Sequence, residues 1–189
     1  MPILTPTVLS KLEFEVLPPR EWAGTKVKVW HTRLPGRTSS LRGIGVDPGR
    51  RFGVATIIGH DAYIFAGEMP KEEQQWMYGI RAYDMMAQTT FYHGEGPAAV
   101  EGAAYRPMKA KGQDVSFGEA NLAYIRFGFV LGMYYVGYEV DVVPPATIRA
   151  QALGSGKVGG LEVWPILNSH AADALACALY AAGVRRDDR

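Results

Sequence analysis

Residues 43–49 read Gly-Ile-Gly-Val-Asp-Pro-Gly. The first five form a short strand that ends on a carboxylate, Asp47, and Pro48–Gly49 is a turn dipeptide that stops it. Working outward, residues 52–59 (FGVATIIG) and 61–67 (DAYIFAG) read as two further strands that reverse near His60–Asp61. Pro97–Ala98–Ala99–Val100–Glu101 repeats the device of a short apolar strand closed by a carboxylate, and residues 138–143 (YEVDVV) give a fifth strand halted by Pro144–Pro145. Between and after the strands lie helical patterns. One spans 71–92, with Trp76, Ile80, Tyr83, Met86 and Ala87 at helical spacing. Others span 117–137, 146–153 and a last stretch capped at Asn168 or Ser169 that ends before Gly183. Three meandering strands followed by alternating helices and strands make an α/β protein, a mixed sheet covered by helices on both faces.

Upstream of the decisive strand, residues 1–42 behave differently. Lys26–Val27–Lys28–Val29–Trp30 alternates with the period of a strand, and Pro35–Gly36–Arg37–Thr38–Ser39–Ser40 reads as a turn or linker. The segment has too few apolar residues for a core of its own, so it is an appended strand or hairpin, with the domain proper at 43–189. Charge divides the same way. The formal net charge is +1, but residues 1–42 carry seven Lys/Arg against three Glu, and residues 43–189 carry thirteen against sixteen acids. Arg20, Lys26, Lys28, Arg33, Arg37, Arg42, Arg50 and Arg51 crowd around the first motif. A basic arm beside an acidic site suits a phosphate-backbone partner.

The lone cysteine, Cys177, excludes an internal disulfide and a cysteine-based zinc site, and it fits a reducing compartment. The longest apolar stretches, in 117–138 and 171–182, are interrupted by charge or too short to span a bilayer, so no membrane is expected. A cytoplasmic setting is the expectation. No small-molecule cofactor is indicated.

Four side chains carry the chemistry. Asp47 and Glu101 close two strands, and side chains at the carboxyl ends of strands line the crevice where α/β proteins bind ligands. His170 and Asp173, three apart at the start of the last helix, leave one face of it. Clustered carboxylates repel unless a cation neutralises them, and hard oxygen ligands select Mg²⁺ or Mn²⁺. Lys157, in the Gly154–Ser155–Gly156 loop, is a candidate electrostatic stabiliser for a phosphate. In the loop at 102–114, Tyr105 stands among Arg106, Lys109 and Lys111, a mixture suited to backbone contacts and stacking on an unpaired base. The helix at 117–137 is apolar around more of its circumference than one core face requires.

GIGVDPG at 43–49, VEGAAYRP at 100–107 and SHAADALACALYA at 169–181 resemble, in order and placement, the three active-site motifs of the RuvC-type Holliday-junction resolvases. The resemblance covers roughly 42–183. It implies a ribonuclease H-like fold, a five-stranded mixed sheet with its first three strands antiparallel, here with an N-terminal β extension that the family does not share. It implies Asp47, Glu101, His170 and Asp173 as the metal-binding and catalytic set, His170 standing where many members have aspartate. Two divalent ions per subunit, Mg²⁺ or Mn²⁺, and 5′-phosphate products are the expected chemistry. The expected partner is a four-way DNA junction, bound by a homodimer through the aromatic helix at 117–137. Arg33, Arg37, Arg42, Arg50 and Arg51 join the loop residues as expected DNA contacts. A broader fork and flap debranching nuclease is the neighbouring alternative. A junction-binding protein without catalysis is another, though such proteins tend to lose a carboxylate. Actin-like ATPases share the acidic loop after the first strand but need two such domains, for which 189 residues are too few.

Overall fold

The computed structural model describes residues 6–35, 41–72, 74–88, 96–102 and 117–183. Their elements run α1 (Pro6–Leu9), β1 (Glu15–Trp22), β2 (Thr25–Arg33), β3 (Arg42–Asp47), β4 (Arg51–Ile58), β5 (Asp61–Glu68) and α2 (Gln75–Ala87). After these come β6 (Pro97–Glu101), α3 (Phe117–Tyr135), β7 (Glu139–Val143), α4 (Pro145–Leu153), α5 (Gly160–Val163) and α6 (Ser169–Ala181). Among the described residues no helix is long and apolar enough to cross a membrane.

All the described strands form one sheet in the order β1-β2-β5-β4-β3-β6-β7. The pairs from β1 through β3 are antiparallel, and β3–β6 and β6–β7 are parallel. The sheet therefore has seven strands, where the motifs alone led to five. β5 is paired with β4 on one side, and its other edge is free to accept β2, whose alternating apolar residues complete both layers. β1 bulges between Leu17 and Arg20, where Pro18–Pro19 breaks the register.

Strand side chains alternate between faces, and the two faces have separate cores. On one, α6 lies across β3, β4 and β6, with α4 and α5 beside it; Ala55, Ile57, Ile64, Ala66, Ala99 and the alanines of α6 are buried here. On the other, Val46, Val54, Phe65, Val100 and Phe52 pack against Met85 and Met86 of α2 and Ile125, Phe129 and Met133 of α3. Gly79 and Gly128 face each other across the α2–α3 seam. Tyr124, Phe127, Leu131 and Tyr134 of α3 are left exposed, as a stripe at helical spacing. The helix expected over 71–92 is described only over Gln75–Ala87, because hydrophobic period locates a helix but not its ends. Gln74 supplies no side-chain cap.

Candidate active site

The α6 face owes its tightness to missing side chains. Gly43, Gly45 and Asp47 alternate toward α6, and a Cβ added to Gly45 would stand 2.0 Å from the backbone nitrogen of Ala178. On the neighbouring strand, a Cβ added to Gly53, the partner of Asp47, would stand 1.9 Å from His170 O. The two glycines and an alanine-rich helix let backbone approach backbone, and this seats the first turn of α6 directly over the end of β3. Asn168 caps that turn, its Oδ1 accepting from Ala171 N at 2.8 Å.

Asp47 closes β3, and Glu101 closes the parallel β6 one residue beyond the Val46–Val100 pair, so the two carboxylates are neighbours on the same face. His170 Nδ1 donates to Asp47 Oδ2 at 2.7 Å. Asp173 approaches from α6; its Oδ1 accepts from Gly160 N at 3.2 Å, and its Oδ2 lies 3.6 Å from Arg149 Nη2. The side chains of Asp47 and Asp173 are only 15% and 19% exposed.

Electrostatics follow from that burial. Burial first, and then the charges of Asp47 and Asp173, push the Glu101 carboxyl up to about 7. Burial also raises Asp47, although the hydrogen bond from His170 pulls the other way. That same bond is the main reason the His170 imidazole is raised above its ordinary value. With Nδ1 committed to Asp47, the neutral ring presents its lone pair at Nε2.

Two arginines that sequence reasoning passed over complete the site. Arg126 of α3 donates from Nε to the Glu101 carbonyl at 3.1 Å, and burial lowers its own pKa. Arg149 of α4 faces Asp173. The available signal was that each is the single cation in its helix. Lys157 is exposed, in the loop that ends at Gly160 on Asp173. Arg50 and Arg51 follow the first motif and both pair with Glu68, Arg51 Nε at 3.1 Å from Oε2. Arg33 and Arg42 lie at the opposite end of the sheet, Arg33 beside Asp61 at 3.8 Å. Tyr105, Arg106, Lys109, Lys111 and Arg37 lie outside the described residues.

Among the described residues no three His, Cys, Asp or Glu side chains converge closely enough to hold an ion as they stand. The chemistry of the donors nonetheless fits a hard cation. Asp47 and Glu101 are buried together, and both carboxyls are driven toward the protonated form, a cost that a divalent ion would remove.

Comparison with solved structures bears on this arrangement. The Thermus thermophilus RuvC structure matches with a TM-score of 0.51 and 18% identity, over 77% of this chain and 99% of that one. The fold is that of RuvC. T. thermophilus RuvC in complex with a Holliday junction substrate matches at a TM-score of 0.48 and 16% identity, over 74% and 90% of the two chains. No family model matches the chain, and no curated protein does.

Proposed function

We propose that this chain is a metal-dependent endonuclease that nicks four-way DNA junctions. The observation that supports the reading is that Asp47 and Glu101, from two motifs, end neighbouring strands while His170 of the third motif bonds Asp47, and Asp173 stands near enough for its charge to act on both carboxyls, in a sheet with the RuvC fold. In the reaction, water attacks phosphorus, the P–O3′ bond breaks and the 3′ oxygen takes a proton, leaving a 5′-phosphate and a 3′-hydroxyl. Asp47, Glu101 and Asp173, with His170 at its edge, would hold one or two Mg²⁺ or Mn²⁺ ions, which supply an activated water and charge stabilisation when bound.

The chain's own groups have definite tasks. Arg126 fixes the Glu101 carbonyl and so the end of β6. His170, locked by Asp47 through Nδ1, keeps Nε2 for a ligand or for a proton from the attacking water. Asp173 anchors Gly160 and with it the loop that carries Lys157 toward the phosphate. Cutting two strands of like polarity calls for a two-fold dimer, and the exposed stripe of Tyr124, Phe127, Leu131 and Tyr134 on α3 is the surface we assign to it.

The test uses labelled four-way junctions, forks and duplexes with Mg²⁺, Mn²⁺ or chelator, comparing the protein with Asp47→Asn. Symmetric nicks in junctions, dependent on metal and absent from the variant, are the expected result. Equal cutting of forks would widen the substrate class to branched DNA in general. Metal-independent binding without cutting would reduce the chain to a junction-binding protein. Sedimentation of the unmodified protein at micromolar concentration should show a dimer, and Phe127→Glu a monomer.

A further inference from the structure

The hairpin that enlarges the sheet brings two cations into the row of residues that contains Asp47. Asp47 pairs with Gly53, Gly53 with Ala66, and Ala66 with Lys28. Directly paired residues share a face, so Lys28 leaves the sheet on the same side as Asp47, Glu101 and α6. Between them, the first turn of α6 sits over Gly53 and Ala66 is buried; at Lys28 the face opens to solvent. Three strand spacings separate the two ends of the row, about 14 Å of backbone.

Lys26 lies two residues along β2 on the same exposed side. Neither lysine has an ion-pair partner among the described residues. Arg50 and Arg51, by contrast, are both engaged by Glu68. Lys26 has Glu21 opposite it on β1, an opposite charge that Lys28 lacks. Lys28 faces the bulge at Pro18–Pro19, where β1 carries no charge at all. Arg33 and Arg42 of the extension lie elsewhere. Arg33 pairs with Asp61, Asp61 with Ile58, and Ile58 with Arg42, a second row at the other end of the sheet. It is offset by five residues from the first, an odd number, so its side chains leave the opposite face.

We infer that Lys28, assisted by Lys26, is the anchor for the sugar–phosphate backbone of a duplex arm that runs from the catalytic end of the sheet across the added hairpin. The inference rests on the reading of the chain as a nuclease of branched DNA. A duplex carries one charge per about 1.7 Å of axis, so an arm passing over the first turn of α6, which covers Gly53, would present about eight phosphate charges over the ~14 Å between the two ends of the row. A lysine at the end of that span holds the arm in line with Asp47 without reading bases.

The experiment measures the affinity of catalytically inactive Asp47→Asn protein for a labelled four-way junction and for a plain duplex, by anisotropy between 50 and 200 mM salt. Three further versions are compared on that background: Lys26→Ala with Lys28→Ala, Lys28→Arg, and Arg33→Ala with Arg42→Ala. The lysine pair should lower the log–log salt slope by one to two, about one per lost contact. Lys28→Arg should keep the parent slope, and the arginine pair should change it by less than half as much as the lysine pair does. An unchanged slope in the lysine pair, or a larger change in the arginine pair, overturns the inference while leaving the nuclease reading in place. Failure of the unmodified protein to bind any branched DNA overturns both.

Discussion

The sheet contains two rows that make the same kind of contact and differ in everything that follows from it. At the far end, His31 Nε2 meets Asp61 Oδ1 at 2.9 Å, with Glu15 and Arg33 nearby, and the Asp61 side chain is 42% exposed. At the near end, His170 Nδ1 meets Asp47 Oδ2 at 2.7 Å, but the Asp47 side chain is 15% exposed and two more carboxylates crowd it. A histidine–aspartate bond is thus no mark of a site. Burial and the surplus of like charge convert the second pair into one whose protonation is shifted by its surroundings.

The sharpest way to break this contrast is to neutralise one aspartate in each row. Asp47→Asn should lower the junction-nicking rate at least about a thousandfold, on the scale of losing a main catalytic group. Asp61→Asn should leave the rate within about twofold. A quantitative gel assay under single turnover decides it, and similar losses in both would erase the distinction between the rows.

Packing supplies the next largest effect. Gly53→Val must push His170 and the start of α6 off the sheet. We expect a loss of about 3 kcal/mol, seen as a fall in melting temperature of roughly 10 °C. Ile58→Val in the far row should cost less than about 1 kcal/mol. A tolerated valine at Gly53 would mean that α6 is not held as close as described.

Electrostatics sharpen the comparison further. The Glu101 carboxyl is raised from 4.5 to about 7, so the folded state binds a proton that the unfolded state has released. Stability in divalent-free buffer therefore falls as pH rises from about 4.5 to about 7. Asp47, raised from 3.8, pulls in the same direction from its own lower starting point. His170 stabilises fully below its ordinary value of 6.5, and that contribution fades as pH climbs through its raised folded value. We expect a decline on the order of 1–3 kcal/mol over this window. Glu101→Gln should flatten it, and Mn²⁺ should restore stability to the parent at pH 7. Urea titrations across the pH series read all three. The smallest effect belongs to the far end: His31→Ala should change stability by about 1 kcal/mol, since Asp61 is 42% exposed and water screens the pair.

Much of the near row is legible in the sequence because local chemistry dictates it. Asp47 before Pro48–Gly49, Glu101 after four apolar residues and the His170–Asp173 spacing each announce a carboxylate where burial would forbid one without a purpose. The glycines of the first motif were visible too, but their meaning, a helix backbone in contact, needs α6 in place. What the sequence could not display is non-local. The docking of β2 on β5 depends on an edge that exists only once β3, β4 and β5 have paired. Whether a cation is free or engaged also depends on its neighbours in space. Arg50 and Arg51 stand closest to the motif yet are tied to Glu68, while Lys28, nineteen residues before Asp47, shares its row. The roles of Arg126 and Arg149 rest on helices that arrive from other parts of the chain.

The proline pair in β1 has a consequence for how such an extension can be carried at all. Adding strands to a sheet moves its open margin outward, and an open margin recruits whatever extended chain it meets. Pro18 and Pro19 remove two adjacent backbone donors, one of them from that margin and one from the β2 side, and the bulge there throws any incoming strand out of step. The sheet is widened by two strands and its new margin is blunted in the same stroke. Another extended chain is thereby discouraged from continuing the sheet through β1, and the surface that the hairpin adds keeps Lys26 and Lys28 exposed beside a margin that resists strand pairing.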